Sequence, residues 1–127
     1  MPWLRGKRIL VVEDEVLIAV MVEDMLNDLG TTVIGPASTI PEAMALAEAG
    51  DIDAAILDVN VRGVRIDPVA EVLRARSIPV LFATGYGEVK LNGQQPIVID
   101  KPYSREKLLH GLAQIFGLSS PADRRQA

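Results

Sequence analysis

The chain has 127 residues, of which 49% are hydrophobic and 24% are charged, a composition typical of one soluble globular domain. Its net charge of -4 excludes the basic surface that nucleic-acid binding requires, and the absence of cysteine excludes disulfides and thiolate metal sites. No apolar stretch approaches the roughly 20 residues that span a bilayer, and the N-terminus lacks a signal-peptide pattern, so we expect a cytoplasmic protein with no membrane or nucleic-acid partner.

Short apolar runs along the chain predict strands that are buried on both faces of a parallel sheet. Each run is rich in valine, isoleucine or leucine. The runs cover residues 8–12, 32–35, 54–57, 80–83 and 97–99.

Helical patterns lie between these runs and after the last of them. Between residues 16 and 29, apolar residues at helical spacing share one face, and Gly30 follows as a C-cap signal. Three further helices are predicted from cap residues that precede helical spacing, and Gly117 ends the last of these helices. The predicted caps are Thr39, Asp67 and Ser104.

Strands that alternate with helices predict an α/β fold, in which a parallel sheet carries helices on both faces. The fourth crossover must fit into residues 87–96, a short polar segment that Gly93 and Pro96 interrupt. We therefore expect its helix to be short or disordered. The pattern predicts one domain over residues 7–117 and a flexible C-terminal tail over residues 118–127.

Polar residues stand at the ends of the predicted strands. Ligands of open parallel sheets bind at the carboxyl ends of the strands, and in the flavodoxin-like order 2-1-3-4-5 the first and third strands are neighbours. The acids at these two ends, Glu13 with Asp14 and then Asp58, should therefore meet in one pocket. Thr84 and Lys101, from the fourth and fifth strand ends, should lie at its rim.

Three carboxylates in one pocket repel one another, by on the order of several kcal/mol for each pair at a surface-like dielectric. Mg²⁺ prefers oxygen ligands and often binds through carboxylates together with phosphate oxygens. A carboxylate can also act as a nucleophile and form an aspartyl phosphate. The pocket therefore suits Mg²⁺ and a phosphoryl group, with Lys101 and the Thr84 hydroxyl available to bind phosphoryl oxygens.

These strand ends also carry a family resemblance. The acidic triplet after a VV strand, the ILD strand end, the T-G after the fourth strand and the K-P after the fifth resemble the receiver domains of two-component response regulators. The likeness covers residues 7–116 and implies a flavodoxin-like three-layer sandwich. The segment PVLFATGY, residues 79–86, resembles the FAT GUY subgroup of receivers, and we expect a receiver of the stand-alone single-domain type.

The resemblance implies a role for each site residue. Asp58 would be the phosphoacceptor, Thr84 the switch hydroxyl and Lys101 the phosphoryl-binding lysine, while Gly85 would leave the phosphoryl site open. The implied Mg²⁺ ligands are Glu13, Asp14, Asp58 and the backbone carbonyl of Asn60. The peptide bond before Pro102 would be cis.

The fifth strand departs from the family pattern, and the first helix carries apolar residues whose role the sequence leaves open. Val98 stands three residues before the lysine, where ordinary receivers have a rotating Tyr or Phe, so Tyr86 is a candidate replacement with packing as the equal alternative. The first helix carries extra apolar residues, of which we expect Leu17 in the core. Val16 and Val20 are left open between core and a kinase-docking surface. Elsewhere, the expectation is packing for Tyr103 and surface exposure for His110.

The resemblance implies a signalling switch rather than an enzyme. A histidine kinase or phosphotransfer protein would phosphorylate Asp58 with Mg²⁺ bound, and the output would be an unknown downstream protein, a phosphorelay or a homodimer. The main alternative is a Mg²⁺-dependent phosphohydrolase with an aspartyl nucleophile, because Asp58-Val59-Asn60 faintly resembles a D-x-D motif. A flavin or nucleotide module is disfavoured, since the acidic first loop lacks the glycines of a phosphate cradle.

Overall fold

The computed structural model describes residues 2–85, 97–101 and 103–118. In this part of the chain the strands are β1 (Arg8–Val12), β2 (Thr32–Ala37), β3 (Ala54–Asp58), β4 (Asn60–Val61), β5 (Val64–Arg65), β6 (Val80–Thr84) and β7 (Ile97–Asp100). The helices are α1 (Val16–Asp28), α2 (Ile40–Ala49), α3 (Asp67–Ala75) and α4 (Arg105–Ile115). None of the helices described is long and apolar enough to cross a membrane.

The main sheet is parallel throughout and has the order β2-β1-β3-β6-β7. This confirms the predicted order 2-1-3-4-5, since β4 and β5 form a separate antiparallel hairpin. Several strands extend beyond the apolar runs because their polar ends continue the ladder. Asp58 pairs with Ala83, and Thr84 pairs with Asp100. The ladder therefore fixes where the backbone of Asp58 and Thr84 lies.

Two hydrophobic layers cover the sheet, one on each face, so the fold is the predicted three-layer sandwich. Successive residues of a strand point to opposite faces. Leu10 and Val12 of β1 accordingly pack with α2 and α3, whereas Ile9 and Val11 pack with α1 and α4. Burial of these apolar side chains on both faces is the main source of stability for a sheet of this kind.

The helix caps are mostly those predicted. Thr39 and Ser104 accept hydrogen bonds from backbone N–H groups in the first turns of α2 and α4. Gly30 and Gly117 take left-handed φ values of 87° and 74° directly after the caps of α1 and α4, a conformation that suits glycine. The prediction of Asp67 as a cap was wrong. Ile66 is the N-cap of α3, because its carbonyl accepts the first helical bonds, and Asp67 lies in the first turn.

Other predictions fall on residues that the structure does not describe. They concern the short fourth helix within residues 87–96, Tyr86, the bond before Pro102 and the tail beyond residue 118. Within the described ranges, a cis X-Pro bond is present at Gly35–Pro36.

Candidate functional site

The first and third strands bring three acidic side chains to the carboxyl edge of the sheet. Because β1 and β3 are parallel neighbours with Val12 opposite Leu57, the residues that follow lie side by side. Glu13, Asp14 and Asp58 each offer a carboxylate oxygen, and these oxygens all lie within 4.8 Å of one another. The structure thus brings together the acids that the sequence singled out.

A cavity of about 590 Å³ opens over these acids. It is lined by Asp14, Glu15, Asp58, Asn60, Gly63, Thr84, Gly85 and Lys101. Glu13 is 4% exposed, and Asp58 and Thr84 are 6% and 3% exposed. These polar side chains therefore lie in a sheltered region, where hydrogen bonds and charges act more strongly than in open water.

Lys101 lies at the centre of the pocket rather than at its rim. Its ammonium Nζ donates to Glu13 Oε1 at 2.9 Å, to Asp58 Oδ2 at 3.1 Å and to the exposed Glu15 at 3.4 Å. The Lys101 side chain is only 8% exposed. Buried carboxylates need a counter-charge, and here the ammonium supplies it. This requirement explains why the lysine reaches further in than its strand position alone predicted.

The pKa values of Glu13 and Asp58 reflect burial and the contact with the Lys101 ammonium. Burial raises the pKa of Glu13 to about 7, although a backbone N–H from Glu15 and the Lys101 ammonium oppose the rise. Burial also raises the pKa of Asp58, against the effect of Lys101. In turn, burial would lower the pKa of Lys101, but Glu13 and Asp58 outweigh it and raise that pKa. Among the described residues, the two buried carboxylates therefore share the Lys101 ammonium as their contacting cation.

Asp14 behaves differently from the two buried acids. Its burial acts to raise the pKa, but hydrogen bonds outweigh this effect and hold the pKa below its usual value. The backbone N–H of Arg62 is the first of these donors, at 2.9 Å from Asp14 Oδ2. An ionised carboxylate at the mouth of the pocket is the form that binds a metal ion.

The β4–β5 hairpin, which follows Asp58 directly, was not predicted. Its first residue, Asn60, donates its backbone N–H to Asp58 Oδ1 at 3.4 Å. Its turn carries positive φ at both central residues, 53° at Arg62 and 79° at Gly63. The sequence carried only part of the usual signal for such a turn, because glycine stands second in the pair Arg62-Gly63 but arginine is unusual in first place.

Several flanking side chains were also assigned from sequence. Tyr103 is 6% exposed and packs in the α1–α4 layer, as expected, and His110 is exposed. Val98 of β7 lies opposite Phe82 and packs against the α2–α3 layer. The expectation that Leu17 is in the core was wrong, since it is 80% exposed.

The exposed position of Leu17 follows from the face that α1 turns to the sheet. The buried residues of α1 are Ala19, Val22 and Leu26. The opposite side of the helix presents an exposed apolar patch, which we call the α1 patch. It consists of Val16, Leu17, Val20 and Met21.

Comparison with known proteins identifies the family. The model of the response regulator receiver domain matches residues 9–113, so the chain belongs to this family. The receiver assignment made from the strand ends is thereby confirmed.

Individual relatives are bacterial regulators and receivers. The chain is 34% identical over 125 residues to the phyllosphere-induced regulator PhyR of Methylorubrum extorquens, with 94% of this chain and 47% of PhyR covered. The chain thus spans about half the length of that relative. Among solved structures, SdrG from Sphingomonas melonis Fr1 is 45% identical with a TM-score of 0.79, and the match covers 87% of this chain and 97% of SdrG.

A third similar structure is relevant to the acidic pocket. The receiver domain of the sensor histidine kinase PA1611 from Pseudomonas aeruginosa PAO1 is 25% identical, with a TM-score of 0.74 over 88% of this chain and 98% of that one. That receiver was solved with a magnesium ion coordinated in its active-site cleft.

Proposed function

We propose that this chain is a phosphorylation-dependent signalling switch that accepts a phosphoryl group on Asp58 with Mg²⁺ bound beside it. The observation that carries the proposal is the convergence of three carboxylates within 4.8 Å, two of which also contact Lys101, Glu13 at 2.9 Å and Asp58 at 3.1 Å. The site belongs to a domain of the receiver family, and the related PhyR of Methylorubrum extorquens is a regulator.

The residues present fit a magnesium ion. The donors are all oxygens, the carboxylates are clustered, and their burial raises the pKa of Glu13 and Asp58, so a divalent cation would supply the missing charge. Glu13, Asp14, Asp58 and the backbone carbonyl of Asn60 would hold the ion. When bound, it would neutralise the charge that develops during phosphoryl transfer.

The protein's own groups would carry out the remaining steps. The phosphoryl donor is a phosphohistidine on a partner protein. A carboxylate oxygen of Asp58 attacks its phosphorus, the P–N bond to the histidine ring breaks, and the leaving imidazole nitrogen keeps the electron pair. Lys101, which already contacts Asp58, would bind one phosphoryl oxygen, and the Thr84 hydroxyl at the end of β6 would bind another. Movement of Thr84 onto the new phosphoryl group would carry the signal into the segment that follows β6.

In this proposal the donor is a histidine kinase or phosphotransfer protein, and the protein acts in the cytoplasm. The α1 patch is the surface that we assign to this donor, because α1 begins directly after Glu15, which contacts Lys101 at 3.4 Å. The output is a downstream protein, a relay or a homodimer. We further propose that the chain belongs to the FAT GUY subgroup of receivers. In this proposal Tyr86 takes the role of the aromatic residue that is replaced by Val98.

Introducing a charge into the α1 patch tests this docking surface. Leu17→Asp should slow labelling by a phosphorylated histidine phosphotransfer protein about tenfold or more, because a charge at the centre of a small apolar interface must be desolvated. Labelling by acetyl phosphate, which needs no docking, should stay at the wild-type rate. Equal slowing with both donors would show that Leu17 supports the pocket rather than a partner.

The alternative function, a Mg²⁺-dependent phosphohydrolase, predicts a different kinetic result. With acetyl phosphate and Mg²⁺, we expect the intact mass to increase by one phosphoryl group and labelling to be lost in EDTA. With p-nitrophenyl phosphate, we expect no sustained release of nitrophenol. Many turnovers of that ester, abolished in Asp58→Asn, would favour the hydrolase.

A further inference from the structure

One residue of the hairpin turn has an unexpected backbone conformation. Arg62 has a φ of 53°, in the left-handed region that side chains with a β-carbon rarely adopt. Turns with positive φ at both central residues usually have asparagine, aspartate or glycine in the first place. An arginine there implies that its other contacts outweigh the backbone cost.

Two such contacts join Arg62 to separate loops at the carboxyl edge of the sheet. Its backbone N–H donates to Asp14 Oδ2 at 2.9 Å, in the loop after β1. Its side-chain Nε donates to the carbonyl oxygen of Ser38 at 3.1 Å, in the loop after β2. The end of β2 is also hydrogen-bonded to a residue of the site, because the Ala37 carbonyl accepts the backbone N–H of Glu13 at 2.9 Å.

We propose that Arg62 is a positioning residue for the cation site, in which its bond to Ser38 holds the hairpin so that its own backbone N–H orients the carboxylate of Asp14. This inference rests on the proposed Mg²⁺ site. A carboxylate has two oxygens, so a bond to Oδ2 fixes its rotation while the group can still bind a cation. A ligand that is already oriented loses less freedom on binding, which increases affinity.

Three substitutions at Arg62 separate the effects of its side-chain N–H donor, its positive charge and its left-handed backbone conformation. Arg62→Gln keeps an N–H donor four bonds from the α-carbon, where Arg62 has Nε, and removes the charge. Arg62→Met has a similar length but no donor and no charge. Arg62→Gly removes the whole side chain and relieves the left-handed backbone. The comparison of the Gln and Met variants therefore isolates the hydrogen bond to Ser38.

Calorimetric titration with Mg²⁺ gives the main result. We expect Arg62→Gln to bind Mg²⁺ at least as tightly as wild type, and Arg62→Met and Arg62→Gly to bind about fivefold to tenfold more weakly than the Gln variant. Amide hydrogen exchange at residue 62 without Mg²⁺ provides a second, metal-independent result. It should be faster in the Met variant than in the Gln variant, since the N–H is then held less firmly on Asp14.

Two outcomes would overturn the inference in different ways. If all three variants bind Mg²⁺ like wild type, or if Arg62→Gly binds more tightly, Arg62 serves only the turn and the proposed function stands. If wild type itself does not bind Mg²⁺, the cation site fails and this inference fails with it.

Discussion

Asp58→Asn should abolish phosphorylation by acetyl phosphate, with no increase in intact mass under conditions that label wild type completely. The amide has nearly the size and shape of the carboxylate but lacks the anionic oxygen that attacks phosphorus. The other candidate acids do not compensate in this account. Asp58 lines the cavity, whereas Glu13 lies outside the cavity lining and Asp14 is held by the Arg62 N–H.

A matched control separates this effect from a general loss of negative charge. Asp24→Asn makes the same chemical change at an exposed position on α1. It should label like wild type. Persistent labelling of Asp58→Asn would move the phosphoacceptor to another residue and would contradict the role assigned to Asp58.

Lys101→Met should strongly destabilise the protein in the absence of Mg²⁺. The substitution keeps most of the buried side-chain volume but leaves Glu13 and Asp58 without the ammonium that now contacts both, at 2.9 and 3.1 Å. Removing one partner of a buried ion pair costs about 3–5 kcal/mol, although protonation of a carboxyl lowers this cost. Urea unfolding in EDTA at pH 8 measures the loss.

Magnesium should restore much of this stability, because the cation would replace the missing counter-charge. The increase in the free energy of unfolding on adding Mg²⁺ should therefore be larger in Lys101→Met than in wild type. Labelling by acetyl phosphate should fall but remain detectable, since Asp58 is intact. If Mg²⁺ stabilises the variant no more than wild type, the lysine and the cation do not share one site.

The free energy of unfolding, measured by urea unfolding in EDTA, should also depend on pH. Burial raises the pKa of Glu13 from 4.5 to about 7, so the folded state binds more protons than the unfolded state between these values. In EDTA, the contribution of Glu13 to the stability of wild type should therefore fall as the pH rises from 4.5 to 7. Without Lys101, the decline should continue to higher pH.

The location of the acidic pocket could be predicted from sequence because the strands are buried on both faces. Such strands are continuous apolar runs, and the first polar residue after each run marks the carboxyl edge. Asp58 and Thr84 were found in this way, at the ends of β3 and β6. Parallel connectivity then placed these ends at one edge.

The hairpin and Leu17 could not be predicted for two different reasons. β4 and β5 have two residues each, too few to show a period, and Arg62 is not a residue that usually marks a turn with positive φ. Residues 16–22 of α1 are all apolar, so spacing alone could not tell the buried face from the exposed α1 patch.

The central place of Lys101 was missed because it depends on charge balance rather than on strand position. A side chain with several rotatable bonds can end at the rim or at the centre of a pocket. What decides is the cost of leaving Glu13 and Asp58 buried without a cation. That cost becomes visible only when the burial of both carboxylates is known.

The proposed function requires that Glu13, Asp14 and Asp58 converge on one divalent cation and leave Asp58 able to accept phosphate. Crystals grown with Mn²⁺ in place of Mg²⁺ test it most directly, since both ions accept oxygen ligands and Mn²⁺ is identified by anomalous scattering. We expect one anomalous peak bounded by the three carboxylates. At saturating Mn²⁺, a pocket without that peak, in which Lys101 still bridges Glu13 and Asp58, would contradict it.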